Sequence, residues 1–292
     1  MKLEDLTRAP LPVLPPRSAE SHKGDYGRAL LVGGSCGMSG AIGLAGLATL
    51  RGGAGLVTLA VPRSVQDVVA ALEPSYMTRG LADEDGHIAA AAADDIISLA
   101  RGATVVAIGP GLGRSPALTH LVARVYREVD KPMVVDADAL FALAERPEAR
   151  HKPPAPRVLT PHPGEFARLT GDEPDDARRV EVAAKFAQRD ATGNTIVVLK
   201  GHGTVVTDGT RFSVNQTGNP GMATGGAGDV LTGIITALLC QGLAPFDAAR
   251  LGAYVHGLAG DLAADVVGQV SLIAADLIDY LPHAIKSPTV LA

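Results

Sequence analysis

The segment NPGMATGGAGDVLTG, residues 219–233, sets an isolated acid, Asp229, among five glycines and ahead of an apolar run. Gly225, Gly226 and Gly228 can each take positive φ, and their missing side chains let backbone N–H groups converge on an anion where a helix begins. The helix dipole adds favourable charge at the same point. Such a loop suits a transferring phosphoryl group, with Asp229 on the first helical turn able to accept a proton from an attacking hydroxyl. Read as architecture, Asp229 is an N-cap or first-turn acid, which leaves the neighbouring glycines unexplained. Neither GxGxxG nor GxxxxGK[ST] occurs, so any nucleotide site here has another design.

Five more loops carry candidate chemistry: GGSCGMSGA (33–41), GPGLG (109–113), DADAL (136–140), PHPGE (161–165) and KGHGT (200–204). Lys200 stands at a strand end, where Gly201 and Gly203 expose backbone for a nucleotide's ribose or phosphates; the alternative is a solvated lysine. Two prolines stiffen the loop that presents His162, and Glu165 either reaches a metal-bound water or caps the next helix. Asp136 and Asp138 could form a paired acid site, although Asp138 also suits the N-cap of ALFALAE. His256 and Asp261 fall in a helical stretch and receive no role.

These loops need a frame. RALLVGG, GLVTLAVP, TVVAIGPG, PMVVDAD, PRVLTP and TIVVLKG are short β-rich runs, each followed by a helical stretch, which predicts a largely parallel sheet with helices on both faces. In that architecture ligands sit outside the carboxyl ends of the strands, where all five loops would emerge. TVVTDGTRFSV places Asp208-Gly209 between apolar runs and predicts an antiparallel edge near 204–214. From Asp229 a paired apolar stripe runs to Leu239, and two further helices complete a helical C-terminal third.

With 292 residues, 47% of them apolar, the chain can bury a full core, read here as an N-terminal arm over 1–22 and one domain over 23–292. A formal net charge of −5 and no Lys/Arg cluster argue against a nucleic-acid partner. The N-terminus lacks an uninterrupted apolar segment and Arg51 and Gly52-Gly53 break the most apolar stretch, so a soluble cytoplasmic protein without a membrane partner is expected. Cys36 and Cys240 form no CxxC and are expected to be buried or partly buried thiols. The eight histidines show no metal-ligand spacing.

GDYGRALLVGGSCGMSGA, GPGLG, VVDADAL, LTPHPGE, LKGHGTVV and GNPGMATGGAGDVLTGIITALL occur together in this order. As a set, from about residue 20 to the C-terminus, they resemble the ADP/ATP-dependent NAD(P)H-hydrate dehydratase family of the ribokinase-like superfamily; GGAGD alone would mark only the superfamily. The resemblance implies a three-layer α/β/α fold that repairs hydrated NADH or NADPH (NADHX, NADPHX) by phosphorylating the ring hydroxyl and eliminating phosphate. It implies ADP as the donor, with ATP as the alternative, release of AMP, action on the S epimer, Mg2+ on the phosphates and a homotetramer.

Residue by residue, the resemblance implies Asp229 as base and substrate contact, and Gly225, Gly226, Ala227 and Gly228 as an anion hole. Lys200, Gly201, His202, Gly203, Thr204 and Gly228 match nucleotide-binding positions, while Ala41, Gly111 and His162 match contacts to the hydrate. Sugar kinases of the superfamily often carry NxxE near the metal; here the segment from His162 to Glu165 has histidine first, which leaves a metal role for Glu165 open. About twenty residues precede the first motif, so the resemblance implies a separate epimerase for the other epimer. A kinase with a stable phosphorylated product and a nucleotide-binding sensor without turnover are the rival readings.

Overall fold

The computed structural model describes residues 3–171, 177–287 and 290. Its strands are β1 (Glu4–Asp5), β2 (Arg28–Val32), β3 (Leu56–Pro62), β4 (Met77–Leu81), β5 (Asp83–Glu84), β6 (His87–Ile88), β7 (Val105–Ile108), β8 (Met133–Val135), β9 (Arg157–Leu159), β10 (Thr195–Leu199), β11 (Val205–Thr207) and β12 (Arg211–Val214). Its α-helices are α1 (Ser39–Arg51), α2 (Gln66–Ala70), α3 (Ala93–Arg101), α4 (Pro116–Glu128), α5 (Ala137–Glu145), α6 (Pro163–Thr170), α7 (Arg179–Ala187), α8 (Ala227–Cys240), α9 (Pro245–Val267) and α10 (Ala274–Ile285).

All six β-rich runs form strands, β2, β3, β7, β8, β9 and β10. Ten strands make one sheet in the order β1-β12-β11-β10-β9-β8-β7-β2-β3-β4, and the run from β10 to β4 is parallel throughout. β11 and β12 pair antiparallel around the Asp208-Gly209 turn, where Gly209 takes φ 87° and Asp208 Oδ1 accepts from Thr210 N at 2.9 Å. The expected antiparallel edge is nevertheless covered, because Glu4–Asp5 adds to β12 in parallel. Arg250 of α9 holds that segment by donating to the carbonyls of Leu6, Ala9 and Pro10. At the other margin β4 is an additional strand that MTRGL does not announce, because an edge strand buries only part of each residue.

Adjacent residues of the parallel strands bury into opposite faces. Leu31, Leu59, Ala107, Val134 and Val198 join one core with residues of α1, α8, α9 and α10, while Leu30, Ala60, Ile108, Val135 and Leu199 join a second with residues of α3 to α7. Two apolar faces explain why these strands read as continuous Val/Leu/Ile runs rather than as alternation. No helix among the described residues is long and apolar enough to cross a membrane.

The first core closes where α1 crosses α8. A Cβ on Gly233 would lie 2.3 Å from the Ala45 carbonyl oxygen and 2.7 Å from Ala48 Cβ, so only glycine admits this approach. Thr49 Oγ1 bridges the crossing, 3.2 Å from Gly233 O. Gly233→Val is expected to cost at least about 2 kcal/mol in denaturant unfolding, since overpacking against backbone cannot relax by a rotamer change; an unchanged midpoint would contradict this packing.

Candidate active site

Chain order along the sheet reverses between β2 and β7: β3 and β4 follow on one side, β8, β9 and β10 on the other. A doubly wound sheet opens its crevice at such a switch. The loops after these two strands touch there. Gly34 N donates to Pro110 O at 2.8 Å, and Ser35 Oγ donates to Gly111 O at 2.9 Å. Gly111 takes φ 61°, and a Cβ on it would lie 2.4 Å from Met38 O and 3.1 Å from Ala41 Cβ. Ala41 and Gly111 are thus neighbours although 70 positions apart in sequence.

The loops after β8 and β10 meet the start of α8 through an ion pair whose acid is buried and whose lysine is half-buried. Lys200 Nζ lies 2.7 Å from Asp136 Oδ1, whose other oxygen accepts from Thr232 Oγ1 at 2.8 Å. Asp136 is 1% exposed. Thr232 is one turn along the helix from Asp229, and a Cβ on Gly228 would lie 3.3 Å from Lys200 Nζ. Small size at Gly228 therefore lets the ammonium approach the helix N-terminus.

Gly226 is the N-cap of α8 at φ 91°, with no side-chain cap. Among the described residues the N–H groups of Gly225, Gly226, Gly228 and Asp229 have no protein acceptor, the unpaired donors that any helix start presents. Only Gly226 of the three glycines takes positive φ, contrary to the sequence expectation: Gly228 is already helical, and Gly225 is open, with no atom within 4 Å of its would-be Cβ. Asp229 is the third helical residue and not the N-cap.

Charge is crowded here. Burial pushes the Asp229 carboxyl up to about 7, helped by Asp136 and opposed by Lys200, with Asp138 and Glu165 adding to the rise. Burial works against the Lys200 ammonium, yet Asp136 and Glu165 hold it above the ordinary lysine range. Glu165 is raised by burial, against the pull of Lys200 at 3.8 Å. Behind the helix start, burial pushes His256 down to about 4, so it is a neutral partner of Ala227 O at 2.9 Å.

Other expected residues take more structural places. His162 caps α6: its Nδ1 accepts from Gly164 N at 3.1 Å, while Glu165 Oε2 accepts from His162 N at 2.8 Å. The imidazole stays exposed. Gly201 and Gly203 take φ 142° and 63°, and Thr204 Oγ1 donates to Gly201 O at 3.0 Å, closing the turn that carries the exposed His202. Asp138 is not the N-cap expected of it; Asp136 occupies that position, and Asp138 binds Gly113 N at 2.9 Å and Arg114 Nε at 2.6 Å. Cys36 is exposed rather than buried, because it lies in the loop after β2, while Cys240 is buried in the first core.

Three supports escaped sequence reasoning. Arg179 donates to Leu199 O, Lys200 O and His202 O, holding the turn after β10 in shape. Thr232 completes the Asp136 bridge. Asp261 accepts from Gly218 N at 2.8 Å and Asn219 Nδ2 at 3.0 Å, tethering the glycine-rich segment to α9. The only signal for Thr232 was its place one turn after Asp229.

The profile of the NAD(P)H-hydrate dehydratase family matches residues 29–283. The bifunctional NAD(P)H-hydrate repair enzyme Nnr of Moorella thermoacetica is 49% identical over 279 residues, covering 94% of this chain and 52% of that protein. Its Escherichia coli counterpart is 40% identical over 276 residues, covering 94% and 50%. The chain thus spans about half the length of the curated relatives it matches. An ADP/ATP-dependent NAD(P)H-hydrate dehydratase from Bacillus subtilis, co-crystallized with ATP/Mg2+, superposes with TM-score 0.79 at 35% identity, covering 98% of this chain and 99% of that one. Arabidopsis thaliana ribokinase, at 15% identity and TM-score 0.52, shares the fold. On a ribokinase-like fold whose glycine cradle and half-buried lysine meet at the carboxyl ends of the strands, this chain belongs to the NAD(P)H-hydrate dehydratase family.

Proposed function

We propose that the chain dehydrates the S epimer of hydrated NADH or NADPH at the expense of a nucleotide, ADP in preference to ATP. The observation that carries this reading is the unpaired amide cluster of Gly225, Gly226, Gly228 and Asp229 beside the half-buried Lys200. The amides and helix start bind the terminal phosphate, Lys200 and the turn through Gly201, His202, Gly203 and Thr204 bind the nucleotide, and Ala41, Gly111 and His162 border the hydrate.

Asp229 takes the proton of the ring hydroxyl as its oxygen bonds to the terminal phosphorus, and the bond from phosphorus to AMP breaks. The ring nitrogen's lone pair then expels inorganic phosphate as the C–O bond breaks, and loss of the neighbouring ring proton restores the double bond. A base near 7 is matched to this task at neutral pH. Among the described residues no three His, Cys, Asp or Glu side chains are grouped as a metal cage. Magnesium there would neutralise phosphate charge, with Glu165 the candidate protein ligand. Resemblance also supports a homotetramer.

Asp229→Asn is expected to lower turnover at least about 10³-fold with ADP affinity changed less than about threefold, read by NADH absorbance and calorimetry. A variant of normal rate would exclude Asp229 as the base, and a stable phosphorylated product in place of inorganic phosphate would favour a kinase.

The same substitution is expected to stabilise the fold. Asp229's folded pKa lies above its ordinary 3.8, so its ionisation costs stability as pH rises from about 4 to 7 and the full cost stands above 7. Asp229→Asn is therefore expected to gain about 1–3 kcal/mol at pH 8 and little near pH 4. Equal stability of the two proteins at pH 8 would contradict that environment.

The acid limb of kcat/KM is expected near pH 7, with activity lost below it. Asp136→Asn removes a negative neighbour while Lys200, Asp138 and Glu165 remain, so the limb is expected to move down by about 0.5–1 unit as kcat falls. A limb that stays in place would show that Asp136 acts on folding alone.

A further inference from the structure

The segments that lead into three neighbouring parallel strands enclose a cavity of about 180 Å³ that the reaction does not use. Tyr126 lies at the end of α4 before β8, Arg150 before β9, and Arg189 before β10, so the cavity faces the amino ends of these strands while the glycine cradle faces their carboxyl ends.

Phe186 lines the cavity, and two guanidinium groups lie against its ring, Arg150 at 5.3 Å and Arg189 at 5.7 Å from the centroid. Two like charges on one ring repel each other. Burial, with the Arg189 charge adding to it, holds Arg150 below the ordinary arginine range. Neither guanidinium has a carboxylate partner among the described residues: Arg150 donates to Leu169 O at 2.8 Å, and Arg189 forms no ion pair. The nearby acids point their oxygens at other donors, although Asp190 lines the cavity and the Glu148 charge still favours the Arg150 cation. Glu148 lies 3.8 Å from Arg146, and Asp190 accepts from Thr192 N, Thr192 Oγ1, Asn194 N and Thr195 Oγ1.

The cavity therefore combines apolar lining, from Phe186, Leu159 and buried Tyr126, with two guanidinium charges against the single lining carboxylate of Asp190, a net positive lining. Guanidinium forks match carboxylate oxygens in geometry and charge. The volume falls below the about 300–1,000 Å³ typical of drug-sized ligands, which restricts the occupant to a small body. We propose that this cavity binds a small aromatic carboxylate, its charge between Arg150 and Arg189 and its ring against Phe186.

Benzoate, titrated calorimetrically into the full chain, is expected to bind with a dissociation constant of about 1 mM, unaffected by saturating ADP. Benzamide, which keeps the ring and lacks the charge, is expected to bind about tenfold more weakly. Arg189→Gln alters an exposed side chain outside the cradle and is expected to weaken benzoate at least about fivefold with turnover unchanged. Arg150→Gln is expected to weaken it further. No heat up to about 20 mM benzoate, binding that Arg189→Gln leaves intact, or displacement by ADP would each overturn the proposal. Inorganic phosphate binding as tightly as benzoate would overturn the aromatic class.

Discussion

Lys200 and Asp136 form an ion pair that neither loop could hold alone. Each stands just past the carboxyl end of its own parallel strand, and the pair reaches the start of α8 through Thr232. Removing two charges from water is costly, and the cost is offset only where geometry is good and the remaining polar atoms are satisfied. Asp136 meets that condition, with one oxygen on the ammonium and the other on a hydroxyl. The pair fixes one positive charge at a helix N-terminus, beside an acid, Asp229, whose ionisation is delayed to neutral pH by burial and by Asp136, against the pull of Lys200. Without the ammonium, the buried Asp136 carboxylate would stand without its cation.

Sheet topology makes that meeting possible. The strand order turns between β2 and β7, where the loops after those strands meet, and α8 lies over the same region of the sheet, in the core shared with β2, β7 and β8. Glycine is then required at contacts where backbone meets backbone: Gly111 against Met38 and Ala41, and Gly233 against α1. The proposed chemistry needs little beyond this frame. It asks for amides that point at one anion, a cation behind them and a base beside them.

Much of this was legible in the residues. The six parallel strands were readable because both sheet faces are apolar, and the five loops because they follow those strands in a single direction. What was not legible depended on tertiary partners. Asp138 reads locally as a cap, yet Arg114 and Gly113 claim its carboxylate, leaving the N-cap place to Asp136. Gly228 reads as a positive-φ glycine, but its small size serves the approach of Lys200 instead. Arg179 and Asp261 carry no local signature, and Thr232 only its place one turn after Asp229, since each acts through a segment distant in sequence. The edge strand β1 is two residues long, too short for any periodicity.

Burial beside this pair, with Asp136 adding to the rise and Lys200 opposing it, keeps the Asp229 carboxyl protonated up to neutral pH before any ligand arrives. Carbon-13 NMR of the aspartate carboxyls in the free protein, with Asp229 assigned by its loss in Asp229→Asn, measures that ionisation directly. A titration centred near 7 is the predicted result; a midpoint in the ordinary aspartate range, about 4, would contradict the account.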